Sequence, residues 1–110
     1  MSRGHGNVER YILDMVLQRK ELIPVPVLAA YYARDNSIDN TPHLQSSFRR
    51  AAAKLADSGE VDKREVNLPT RQHAKGSSGD WRWVACVSPP DMAIGDSDMM
   101  GAAYAMVLLR

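Results

Sequence analysis

The side chains of this chain best suited to chemistry are its cations. Arg49, Arg50 and Lys54 fall within Ser46-Ser47-Phe48-Arg49-Arg50-Ala51-Ala52-Ala53-Lys54-Leu55-Ala56-Asp57-Ser58-Gly59-Glu60-Val61, and Arg71, His73 and Lys75 follow in a glycine-rich stretch. Guanidinium and ammonium groups gathered in this way neutralise phosphates, and an arginine on a helix can donate two hydrogen bonds to one guanine. Thr41, ahead of the cluster, marks a helix start whose backbone N–H groups can hold an anion. Ser46 and Ala53 are small enough for a helix to lie close to a duplex, and His43 sits on the flank of the same face. Other chemistry finds no such grouping. Gly76-Ser77-Ser78-Gly79 lacks the lysine of a phosphate-cradling loop, and Asp57, Glu60, Asp62 and Glu65 lie where solvated acids are expected. Three histidines and one cysteine, without ligand spacing, predict no metal site. The reading is therefore of a non-enzyme without cofactor, metal or small-molecule ligand.

The net charge of +1 conceals a gradient. Residues 1–40 are neutral, residues 41–82 carry eight basic and five acidic side chains for a net +3, and residues 83–110 carry three Asp against Arg110. Positive charge is thus concentrated on the segment where phosphate contacts would need it. At 110 residues the chain is expected to be one domain with a short appendage, and 45% hydrophobic residues suffice for a core. Cys86 has no partner for an intrachain disulfide and reads as a small buried hydrophobe, in keeping with a cytoplasmic location. No signal-peptide core is legible, and the apolar run from Met99 to Leu109 is too short to span a bilayer.

Periodicity supplies the elements that would position the cations. A first helix is expected after an Asn7 N-cap, with Val8, Ile12, Met15 and Val16 on one face; Glu21-Leu22-Ile23-Pro24 follows as an extended link able to pair with a later hairpin. A second helix runs from Pro26 to about Arg34 with Leu28, Tyr31 and Tyr32 inward, and Ile38 anchors the polar turn after it. The third helix opens at Thr41-Pro42 and stops at Ser58-Gly59. At 100° per residue Leu44, Phe48, Ala51, Ala52 and Leu55 share its buried side, and Ser46, Arg50, Ala53 and Asp57 the opposite one, with Arg49 and His43 on the flanks. Glu60–Leu68 and Asp80–Ser88 read as strands, the second with either face able to be buried. The basic loop between them is longer than a tight hairpin requires. Trp81 and Trp83 are read chiefly as core or interface residues, with base stacking as the sharper alternative. After Pro89-Pro90 a linker leads to a helix capped by Ser97 and apolar nearly all round. Met99, Met100, Ala103, Tyr104, Met106, Val107 and Leu108 are its expected dimer surface.

Helix, extended link, helix, turn, helix, strand, basic loop and strand, in that order, resemble the bacterial winged helix-turn-helix domains of transcriptional regulators. Phe48 to Asp62 looks like that family's third helix, its glycine stop and the entry to the wing, and Asp80-Trp81-Arg82-Trp83-Val84 looks like the return strand. The resemblance covers residues 7–88, with residues 89–110 as linker and apolar C-terminal helix. It implies an α+β, mainly α fold of three helices with a two- to three-stranded wing, and sequence-specific binding of double-stranded DNA by a small transcriptional regulator. Thr41, His43, Ser46, Arg49, Arg50 and Lys54 would contact DNA from the third helix, and Arg71, His73 and Lys75 from the wing. The turn before the third helix is longer than a compact helix-turn-helix connection and lacks glycine. Two alternatives stand beside this expectation: a protein-interaction winged helix, and a DNA-binding accessory protein of replication, partition or a phage. A homodimer through the C-terminal helix is expected.

Overall fold

The computed structural model describes residues 6–69 and 81–108, with the side chains of Pro69 and Trp81 left outside that description. Along the chain it places α1 (Asn7–Arg19), β1 (Ile23–Pro24), α2 (Val25–Asp35), α3 (Pro42–Asp57), β2 (Asp62–Pro69), β3 (Trp81–Ser88) and α4 (Asp96–Val107). The described residues thus form an α+β, mainly helical fold whose antiparallel sheet has the order β1-β3-β2.

Helix α1 buries Ile12 and Val16 completely. Its N-cap is Gly6, one residue ahead of the expected Asn7: the Gly6 carbonyl accepts the Arg10 N–H at 2.9 Å, so Asn7 is already helical. The helix stops where Lys20 turns left-handed, at φ 52°, and returns its N–H to Val16. The following link forms β1, pairing Ile23 with Val87 and Pro24 with Cys86. A proline suits this position because a two-residue strand at the sheet margin demands few N–H donors.

Helix α2 begins at Val25, a residue before the expected start, with Pro26 in its first turn, where a missing N–H costs nothing. Val25, Val27, Leu28, Ala29 and Ala33 are its buried residues. Tyr31 and Tyr32, expected inward, are half-buried. Tyr32 meets Tyr11 and Phe48 edge-on at 5.1 and 5.4 Å between ring centroids, whereas Tyr31 lies under the guanidinium groups of Arg19 and Arg34. Ile38 does not anchor the turn. It is exposed, and its N–H closing onto Ala33 does the holding.

Helix α3 starts and stops where side-chain chemistry dictates. Thr41 Oγ1 accepts the Leu44 N–H at 3.1 Å, and Pro42 opens the first turn. At the other end Gly59, at φ 84°, returns its N–H to Ala56 while Glu60 reaches Leu55, the paired bonds of a Schellman motif. Because Glu60 is committed to that closure, β2 begins at Asp62 and not at Glu60. The β2–β3 register runs from Asp62 opposite Ser88 to Pro69 opposite Trp81.

Alternation divides the hairpin into two faces. Val66, Leu68, Val84 and Cys86 point into the core shared with α2 and α3, and Glu65, Asn67 and Trp83 take the other side, bordered by the start of α4. That helix begins at Asp96, earlier than the expected Ser97 cap, because Asp98 Oδ2 accepts the Gly95 N–H at 3.0 Å and Gly95 becomes the N-cap. It lies along β2 and β1 and contributes Ala102 and Met106 to the same buried cluster as the other elements.

Candidate nucleic-acid interface

Packing of α3 decides which of its side chains face solvent. Phe48, Ala51, Ala52 and Leu55 are buried, with the Phe48 ring held edge-on by Tyr32 and Tyr11. Rotation about the helix then leaves His43, Arg49, Arg50 and Lys54 exposed, with Ser46 and Ala53 half-buried between them. The face predicted to be polar is the one turned outward.

The individual cations differ. Arg49 Nη2 donates to Ser46 Oγ at 2.8 Å, one turn back, which draws the guanidinium along the helix and leaves its other donors available. Lys54 reaches across to α1, where its Nζ lies 3.4 Å from Glu9 Oε2, so part of its charge joins the two helices. Arg50, with Ser47 and Lys54, borders a shallow cleft that ends at the first residues of α1. The Thr41 hydroxyl is engaged by the helix cap, so an anion at this end would have to meet backbone donors instead.

Arg71, His73 and Lys75 lie outside the described residues. Just beyond them the stem of the hairpin supplies Arg82, which the sequence reading did not include among the site residues. Arg82 is exposed and shares with Arg49, Gln45, Pro26 and Trp83 a cleft of about 370 Å³ between α3 and β3. Its signal in the sequence is its place in the return strand, among the eight basic side chains of residues 41–82. Trp83, expected in a core or an interface, is 70% exposed.

The remaining groups with potential reactivity are withdrawn from it. Burial, with Glu65 adding to it, pushes the Cys86 thiol up to about 12, and Sγ lies 3.6 Å from the Val84 carbonyl oxygen. Tyr11 is likewise raised to about 12, first by burial and then by donating its hydroxyl to Asp35 Oδ2 at 3.0 Å. Among the described residues no three His, Cys, Asp or Glu side chains converge to hold a metal ion, and no helix is long and apolar enough to cross a membrane.

On α4 the expected dimer residues separate. Met106 is buried in the chain's own core and presents nothing to a partner, and Ala103 and Val107 are half-buried. Met100, Tyr104 and Leu108, at successive intervals of four, are 72, 66 and 63% exposed, with Met99 beside them less so. No protein-family model, curated protein or solved structure matches this chain.

Proposed function

We propose that the chain is a winged helix-turn-helix protein that binds double-stranded DNA sequence-specifically, as a small transcriptional regulator. The observation that carries this reading is the outward face of α3, where Arg49 and Arg50 stand exposed with no acidic residue within four positions of either along the helix, while Phe48, Ala52 and Leu55 fix the helix from behind. A helix packed in this way presents its outer face to the major groove. Arg49 or Arg50 would then contact guanine, with about 1–3 kcal/mol of discrimination for a two-bond contact. Ser46 and Ala53 keep the approach close, and Arg82 extends the positive surface to the hairpin stem. Lys54, shared with Glu9, serves as a phosphate contact of lower strength.

A homodimer belongs to the same proposal, formed through Met100, Tyr104 and Leu108 packing against their copies. A two-fold protein would read a pseudo-palindromic site with half-sites about one helical turn apart. The same exposed stripe favours a second reading, a winged helix that docks another protein. Replacing Arg49 and Arg50 together with alanine separates the two. Loss of duplex binding with an unchanged circular-dichroism spectrum supports DNA recognition by α3; undiminished binding overturns that role of α3, and a wild-type chain that binds no duplex leaves the protein-docking reading.

A further inference from the structure

We propose that the cleft between α3 and β3 is a stacking site for an unpaired nucleotide of a single strand, its base on Trp83 and its phosphate between Arg49 and Arg82. This deepens the nucleic-acid reading of α3, on which it rests for Arg49. β1 pairs with β3 only at Val87 and Cys86, so among the described residues the β3 edge nearer the hairpin has no strand beside it on that side. The cleft opens along this edge. Among the described residues two arginines and Gln45 line it and no carboxylate does, which suits an anion carrying hydrogen-bonding groups. Its volume of about 370 Å³ falls in the ~300–1,000 Å³ range of sites for small organic groups.

Trp83 forms the ridge between this cleft and a second one, lined by Glu65 and Asp96 as well as Arg64. The carboxylates on that side repel a phosphate, so a strand approaches the indole from the α3 side. An indole 70% exposed in the central strand of a sheet offers a broad π-face, and every base can stack on such a face. Bases within a duplex are already stacked between their neighbours, so Trp83 can receive only one that is unpaired. The site would therefore hold a melted or flanking segment beside the duplex met by α3.

The chain contains two tryptophans, so Trp81→Phe in the full-length protein leaves Trp83 as the sole indole emitter. Oligothymidylate or oligouridylate of about eight nucleotides should quench that emission, the pair distinguishing DNA from RNA, and Arg82→Ala should weaken binding about tenfold. In the otherwise unaltered chain Trp83→Ala, whose side chain is exposed, should lower oligonucleotide affinity by a similar factor in fluorescence anisotropy, with an unchanged circular-dichroism spectrum. Unaltered emission with both oligonucleotides overturns the proposal. So does equal quenching by polyglutamate, which would mark the cleft as a site for acidic peptide. Duplex affinity, followed in parallel by anisotropy, isolates the two claims: duplex bound without quenching removes only the stacking site, and quenching without duplex binding removes only the role of α3 in the major groove.

Discussion

Helices α3 and α4 are both amphipathic in placement, but only α3 is so in sequence. Each lays two or more side chains in the common core, Phe48 and Leu55 from α3 and Ala102 and Met106 from α4, and each leaves a face uncovered. On α3 that face is Arg49, Arg50 and Lys54; on α4 it is Met100, Tyr104 and Leu108. A charged helix face is stable in water, so its exposure by itself demands no ligand, and only the absence of acidic residues within one turn of Arg49 and Arg50 gives it direction. An apolar stripe repeated every fourth residue is different. Isolated exposed apolar residues are ordinary on protein surfaces, but a contiguous row forgoes burial at roughly 25 cal/mol per Å². The first face is specific in what it can attract; the second is costly until covered.

The comparison can be broken most severely from beneath α3. Phe48→Ala should destabilise the fold by about 3–5 kcal/mol in urea denaturation, because the ring is fully buried and edge-packed on two tyrosines. Met106→Ala should cost about 2 kcal/mol, near the lower end for a buried methionine, since Met106 sits at the margin of the core. Were Met106→Ala neutral in stability, α4 would be a mere appendage and its exposed stripe would lose its meaning.

A smaller effect sharpens the outer faces. Tyr104→Glu should turn a dimer into a monomer in sedimentation with little change in circular dichroism, because the side chain is exposed in the monomer. The point substitution is preferable to removing the helix, which would also strip Ala102 and Met106 from the core. Wild-type protein that sediments as a monomer at all accessible concentrations would end the dimer proposal. The smallest effect belongs to Lys54→Ala, within about 0.5 kcal/mol, as expected for a pair whose lysine is largely solvated.

Two neutral groups under these surfaces set the alkaline limit. The folded values of Cys86 and Tyr11 are both raised to about 12, from ordinary values of 9.0 and 10.0. The fold therefore favours their protonated forms. The stability they contribute is complete below pH 9 for the thiol and pH 10 for the phenol, and is lost as pH rises through their folded values. The urea midpoint should begin to fall above about pH 9, and Cys86→Ala should remove the earlier part of that decline.

Sequence legibility followed the chemistry of each helix. The bounds of α3 could be read because Thr41, Pro42 and Gly59 each have a local physical role, and its faces because charged and apolar residues alternate at helical spacing. The orientation of α4 could not, since a helix apolar all round has no periodic contrast; only packing separates Met106 from Met100 and Tyr104. Its start was hidden because the cap comes from Asp98 reaching back to Gly95, not from Ser97. Strand β3 was ambiguous for a related reason, because both of its faces bury residues: Val84 and Cys86 on the side of Val66 and Leu68, and Val87 on the other, where Trp83 stands exposed. Arg82 shares the face of Val84 and Cys86, opposite Leu68 in the register.

Duplex binding by α3 is tested most directly by anisotropy of a labelled mixed-sequence duplex at roughly 50 and 200 mM salt. If three phosphates are neutralised, affinity should fall about 40-fold between the two conditions. Arg49→Ala with Arg50→Ala should weaken binding and flatten that dependence. Absence of binding at the lower salt, or affinity indifferent to salt and to both arginines, would contradict the assignment of α3 as a DNA-reading helix.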